Sequence, residues 1–459
     1  MRRIISIALT FACFSANSAI SVKSSHSEKN QPLYLTKLIE SGNFNEARQR
    51  ALVKSQHFLN IESYAGYFTI NKQYNSNTFF WYFPSQEHPE NAPVLLWLNG
   101  GPGGSSLIGL FEVNGPFLLT DNETISLREY SWHKDHHVIY IDNPVGVGFS
   151  FTDDNAGYAC NQTDIGRDLL EAIVQFFKLF PELQENEFYL TGESYAGKYV
   201  PSAAYAIKNY NARADVPFKV NLKGLAIGNG LMDAYYQFKY GDFLYNIGLV
   251  DSNGRDQLKQ IEARTQALLE QKKYVEAVME SDQILLNMFT QSPSVFESLT
   301  GYINYQNLLV NQKDQPHYYI RFLKKQVIRE ALHVGDREFV RYNSNVTADL
   351  KADITQSITP IVAELLQHYK VLLYHGQMDV IIPYPGTQEL IRHLDWTGVD
   401  EFVKSERKQW RVGFELAGYS KTYGNLLEVL VRNAGHMVPD DQPKWAYDLI
   451  KRFTHKHSL

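Results

Sequence analysis

The chain has 459 residues, 44% hydrophobic and 13% aromatic, with a formal charge of −6. That is enough apolar content for one large core or two smaller ones, and so modest a charge leaves no footprint for nucleic acid or another polyanion. No block of like charge and no internal repeat stands out, which excludes charged tails and solenoids.

In chain order, the first element is a leader. Arg2 and Arg3 precede an apolar run from Ile4 to Phe14, and small residues follow to Ala19, so residues 1–19 read as a secretory signal peptide. The run is shorter than the roughly 20 residues a membrane span needs. No later span is found, and the ending His457-Ser-Leu459 is not an ER-retention signal. The expected place is the secretory pathway, in a lysosome-like compartment or outside the cell, with no membrane association. Residues 20–60 are polar, carry a short helical pattern over 45–53, and read as a leader or pro-segment. Asn122, Asn161 and Asn345 each head an Asn-x-Thr triplet and are glycosylation acceptors. Cys13 leaves with the signal, so Cys160 stands alone and no internal disulfide forms. Nothing basic flanks Cys160 to lower its pKa, and it reads as an exposed bystander thiol.

From Tyr64 the character changes. Tyr67–Ile70 and Thr78–Phe83 alternate and are rich in aromatics, which predicts a hairpin across Asn75–Asn77. Short apolar runs then recur at Pro93–Leu98, Val138–Ile141, Phe188–Thr191, Gly224–Ile227, Val371–Tyr374 and Leu426–Val431, as strands covered on both faces do. Helical patterns such as Asp164–Phe180 fall between them. The expected fold class is α/β: a mostly parallel central sheet with helices on both faces and a ligand crevice at the strand C-termini. The alternation breaks over 232–349, where charged helices (Arg255–Glu270, Tyr274–Asn287) predict a helical cap insertion. The core is then split into 61–231 and 350–459.

The stretch Tyr189–Pro201, YLTGESYAGKYVP, decides the chemistry. Gly192 to Lys198 fits the start of a phosphate-binding loop, but Tyr199 stands where a Ser or Thr must reach magnesium. Gly192-Glu-Ser194-Tyr-Ala196 fits the sharp strand-to-helix turn that presents a nucleophilic serine, with small residues two places to either side. The α/β-hydrolase order is serine, then acid, then histidine, each past a strand end. Asp379 follows the strand VLLYHG, and His436 follows LEVLVR. Ser194 would attack a carbonyl, His436 would move the proton, and Asp379 would orient the imidazole. The glycine-rich loop after Trp97, LNGGPGGSS, and the Tyr195 N–H would supply the oxyanion donors.

WLNGGPGGSS, IDNPVGVGFS, TGESYAGKYVP, IGNG, HGQMD and NAGHMVP together resemble the serine carboxypeptidases from about Ser63 to Phe453. PLYLTKLIESGNFNEAR and FFWYFPSQ look closest to the vitellogenic-like members. The resemblance implies the α/β-hydrolase fold, and release of single C-terminal residues from peptides and proteins at acid pH through an acyl-enzyme. It implies Ser194, Asp379 and His436 as the triad, and the Gly101 and Tyr195 N–H groups as the oxyanion hole. It places Trp97, Asn99, Gly100 and Glu193 around the substrate's free carboxylate, with Met437 touching the leaving residue. Glu193 must then hold a proton to donate to that carboxylate, which its burial and like charge would favour. One departure concerns the second glutamate expected just before x-Gly-Pro: Val113 stands there, and Glu112 stands one place earlier. A helix turns about 100° per residue, so Glu112 need not point the same way; either it substitutes or the carboxylate site is weakened. Another departure is Tyr302 where close relatives carry a cysteine, so the cap holds without that staple.

Two rival readings share the scaffold: an acyltransferase, or a plain esterase without the carboxylate site. A third is a binding protein that lost catalysis, which the intact triad disfavours. No cofactor and no metal is expected. His133-Lys-Asp-His-His137 offers three imidazoles but reads as a solvated loop without defined ligand geometry, and Asp153-Asp154 lacks the spaced ligands of a calcium loop. The oligomeric expectation is a monomer or homodimer.

Overall fold

The computed structural model describes residues 31–290, 292–311 and 316–457; the signal peptide and Cys13 lie outside the described residues. The strands are β1 (Leu52–Val53), β2 (Ser63–Asn71), β3 (Ser76–Phe83), β4 (Val94–Leu98), β5 (Phe117–Leu119), β6 (Ile125–Leu127), β7 (His137–Ile141), β8 (Phe188–Glu193), β9 (Leu222–Gly228), β10 (Lys370–Gly376), β11 (Lys408–Val412), β12 (Glu415–Tyr423) and β13 (Leu426–Val431). All but the β5–β6 ribbon join one sheet of 11 strands, ordered β1-β2-β3-β7-β4-β8-β9-β10-β13-β12-β11. The parallel order holds for the six central strands from β7 to β13. Antiparallel ladders flank them on both sides, so the sheet is mixed.

Each of the six apolar runs became one of these central strands, and period two explains why they read as unbroken. Val94, Leu96 and Leu98 of β4 enter one core cluster, with the helices Gln162–Leu179 and Ala196–Ala212. Leu95 and Trp97 enter the other, with the helix Pro443–Thr454. β10 divides the same way, Val371 and Leu373 against Leu372 and Tyr374. A strand apolar on both faces must be covered on both faces. Among the described residues no strand lies between β9 and β10; helices fill that stretch, including Ser252–Glu270 and Tyr274–Asp282. Part of it closes a third cluster of its own around Leu258, Ile261 and Phe296, which reaches Val380 beside Asp379. Tyr302 packs at the edge of that cluster.

The segment after residue 31 is woven into the sheet. The Tyr67 N–H donates to the Leu33 carbonyl and the Leu35 N–H to the Tyr67 carbonyl, both at 2.9 Å. Leu35, Ala47, Ala51 and Phe58 have no exposed surface. Leu35→Ala is expected to cost about 2–5 kcal/mol, as a large-to-small change in a closed core does, read as a lower midpoint in urea unfolding.

One reading is corrected here. The histidines of 133–137 are not in a solvated loop: His133, His136 and His137 are 3%, 0% and 2% exposed. β7 starts at His137 between β3 and β4, so the run that feeds it is carried inside. Each ring is engaged separately: His133 with Ser131 Oγ, His136 with the Trp132 carbonyl and Thr454 Oγ1, His137 with Tyr82 Oη and the Pro89 carbonyl. Burial pulls the His133 imidazole down to about 4.

Candidate active site

β8, β9, β10 and β13 are adjacent and parallel, so the loops after them open at one edge of the sheet, where such folds bind ligands. They carry Ser194, Asn229, Asp379 and His436 in that order.

Ser194 sits between the end of β8 and the helix beginning at Ala196, with φ of +64°. That left-handed conformation is costly for a residue with a side chain, and it is the mark of the sharp turn. The turn is tied down: the Ser194 N–H donates to the Gly228 carbonyl at 2.9 Å, and its carbonyl accepts from Leu231 N–H at 3.0 Å. Ser194 is partly exposed within a buried run. Gly192 is required because a Cβ there would lie 2.7 Å from the Leu98 carbonyl and 2.8 Å from Ala196 Cβ. Lys198, the lysine of the rejected phosphate-loop parsing, is buried and ion-paired to Asp353 at 3.0 Å.

Asp379 is 1% exposed and fully engaged as an acceptor. Oδ2 receives Asn229 Nδ2 at 2.6 Å, His436 Nδ1 at 2.9 Å and Ile382 N–H at 3.3 Å; Oδ1 receives Ile381 N–H at 2.8 Å. With Nδ1 donating to the carboxylate, Nε2 of His436 is the acceptor nitrogen. The His436 N–H donates to the Gln306 carbonyl at 2.7 Å, so the segment before the second half of the core also fixes this loop.

The glycine-rich loop follows β4. A Cβ on Gly100 would stand 2.3 Å from the Tyr195 nitrogen, so the backbone of this loop lies directly against the turn. Asp142 braces it, accepting from Ser105 Oγ at 2.6 Å and Ser106 N–H at 3.0 Å; burial raises this carboxyl to about 6. The Asn343 N–H donates to the Gly103 carbonyl, and Thr347 Oγ1 donates to the Pro102 carbonyl. Neither Asn229 nor Asp142 was given a role from the sequence. Both lie inside motifs that carry the family resemblance, IGNG and IDNPVGVGFS, each just past the end of an apolar strand.

Asn99 Oδ1 accepts from Trp97 Nε1 and Gly109 N–H, both at 2.8 Å, which fixes the amide and turns its Nδ2 donor the other way. Trp97 itself is fully buried, where it orients Asn99. Glu193 has no exposed surface, and neither oxygen has a partner at full hydrogen-bond geometry, although the Val438 N–H exerts a weak pull. Burial, then the charges of Asp379, Asp440 and Asp441, raise its carboxyl well above the ordinary range. Gly109–Val113 forms a short π-helical turn. It sends Val113 into the core, 1% exposed, and Glu112 toward a cavity that Met437 also lines. Glu112 Oε1 meets His317 Nδ1 at 2.5 Å and Oε2 meets Arg341 Nη2 at 3.2 Å. It is thus committed to His317 and Arg341 and does not occupy the place of Val113.

Asn122, Asn161 and Asn345 are exposed. Cys160 is exposed, and burial, then Asp349 and Asp164, raise its thiol pKa. Among the described residues no helix is long and apolar enough to cross a membrane, and no group of three or more His, Cys, Asp or Glu side chains could hold a metal ion.

The serine carboxypeptidase family model matches residues 53–456. The chain is 53% identical to the venom serine carboxypeptidase of Apis mellifera, over 92% of this chain and 91% of the relative. It is 44% identical to the vitellogenic carboxypeptidase of Aedes aegypti, over 94% and 92%, and 44% identical to a probable serine carboxypeptidase, CPVL, of Homo sapiens, over 93% and 90%. Among solved structures, the prohormone-processing carboxypeptidase KEX1(delta)P of Saccharomyces cerevisiae superposes with a TM-score of 0.78 at 25% identity, covering 89% of this chain and 96% of that one.

Proposed function

This chain belongs to the serine carboxypeptidase family and is a serine-type carboxypeptidase of peptides or proteins, and from that premise we propose that Ser194, His436 and Asp379 are its catalytic triad. The observation that carries this is the Asp379 carboxylate, which receives both His436 Nδ1 and Asn229 Nδ2 at the edge where the Ser194 turn projects.

In this reading Ser194 Oγ attacks the last peptide carbonyl and His436 Nε2 takes its proton. The oxyanion forms against the Gly101 and Tyr195 N–H groups. His436 then protonates the leaving amine, the C-terminal residue departs, and water hydrolyses the acyl-enzyme by the same proton path in reverse. Asn99 Nδ2 and protonated Glu193 hold the substrate's free carboxylate. With Val113 in the core, that site works with one acid. Glu112 is assigned to the neighbouring cavity. Exposure of Asn122, Asn161 and Asn345 supports glycosylation and passage through the secretory pathway.

The pH dependence follows from Glu193. Only its neutral form donates to a carboxylate, and its pKa is raised. Activity is therefore full at acid pH and falls as pH rises through that folded value. The sign for stability is the same: a raised folded pKa adds stability below the unfolded value, lost as pH rises through the folded one. On an N-blocked dipeptide, kcat/KM should fall about tenfold per pH unit on this limb. Glu193→Gln, which donates at every pH, should flatten the limb; an unchanged limb would contradict the role given to Glu193.

A further inference from the structure

Beside Met437 lies a cavity of about 430 Å³ whose lining is unusually charged. Arg341, Glu112, His317, Arg128, Asp440 and Asp441 all face it. Arg128 is spent on structure: its Nε donates to the Gly115 carbonyl and its Nη2 to the carbonyls of Phe111 and Phe117. Arg341 is different. Its Nε donates to Tyr319 Oη at 2.9 Å and its Nη2 meets Glu112 at 3.2 Å, while its side chain keeps 20% of its surface exposed. Glu112 and His317 are similarly half-buried. A guanidinium with surface to spare, partly shielded from water, is a site for a carboxylate.

Two further features give the cavity its sign and its place. Burial raises Asp440 to about 6, and burial raises Asp441 above the ordinary carboxylate range as well, so acid weakens the negative charge the two bring to the lining. Arg128 and Arg341 face the cavity with lasting positive charge. The place follows from the mechanism: His436 protonates the leaving amine, and the next residue, Met437, lines this cavity. The departing residue is on that side.

We propose that this cavity takes the side chain of the released residue and favours an acidic one, with Arg341 as its ion-pairing group and Glu112 as the internal competitor that limits the preference. The proposal rests on the assignment of Ser194, His436 and Asp379.

The test compares release of glutamate and glutamine from N-blocked Phe-Glu and Phe-Gln, which match in size and differ in charge. The assay is run at about pH 5, below the raised value of Asp440. The wild-type protein should favour glutamate about tenfold in kcat/KM, about 1.4 kcal/mol. Arg341→Gln should bring the ratio to about one, and Glu112→Gln, which frees Arg341, should raise it about threefold or more, the scale of a partly exposed ion pair. A wild-type ratio of one or less, or a ratio that Arg341→Gln leaves unchanged, overturns the proposal. If Arg341→Gln does not fold, Glu112→Gln decides, and a ratio unchanged or lowered there overturns it equally. Leucine release from N-blocked Phe-Leu, present in the wild type and absent in Ser194→Ala, reports on the triad separately. Leucine release with no glutamate preference sinks the pocket alone; no release of any residue sinks both.

Discussion

Asp379→Asn is expected to lower kcat by about 10⁴-fold, the scale seen when a triad aspartate is made an amide, while far-UV circular dichroism stays unchanged. The four groups around this carboxylate all donate: Asn229 Nδ2, His436 Nδ1, Ile382 N–H and Ile381 N–H. An amide brings two hydrogens into a cage with no acceptor. One of its ends must face a donor, and the weakest concession is for His436 to change tautomer and put its proton on Nε2. That nitrogen can then no longer accept from Ser194. KM should move little, because Asp379 is 1% exposed and is covered by its own partners. A loss of about tenfold or less would mean that Asp379 is a structural acid only.

Gly100→Ala is expected to cost about 10²–10³-fold in kcat, the effect of losing one oxyanion donor. The new methyl would fall 2.3 Å from the Tyr195 nitrogen, 2.8 Å from the Glu193 carbonyl and 2.9 Å from Ser194 Cβ. All three belong to the turn that carries Ser194, and two are backbone, so no flexible side chain can give way. Gly100 is not in the left-handed region; what it needs is room. Movement of the turn or the loop would separate the Tyr195 N–H from the oxyanion. The loss should therefore appear mainly in kcat, measured on an N-blocked dipeptide, with a smaller change in KM.

The parts legible in the sequence were those written in local pattern. Six apolar runs gave six central strands, because a strand buried on both faces cannot hide polar residues. The Ser194 turn was legible because its geometry demands Gly192 and Ala196. The margins were harder. β11 is the edge strand and β12 lies next to it, and β12 buries only Ala417, Gly418 and Ser420, so its alternation is ragged. The segment from Leu33 to Phe58 looked polar because its buried set is small and interrupted. The His133–His137 run looked solvated because imidazoles satisfied by distant partners carry no local signature; His136 meets Thr454, 318 positions away. Glu112 is the same lesson at the site. Its partners His317 and Arg341 lie 205 and 229 positions along the chain, and the π-helical turn that aims it at them is invisible in the spacing. Asn229 stands at a strand end whose partner, Asp379, is 150 positions away.

If Ser194 is the nucleophile, removal of C-terminal residues by this chain depends on it. The most direct measurement is release of the last amino acid from an N-blocked dipeptide by the secreted protein, beside Ser194→Ala prepared in the same way, from acid to neutral pH. Release should be highest in acid and absent from the Ser194→Ala protein. Release that survives in Ser194→Ala, or none from the wild-type protein at any pH in that range, would contradict it.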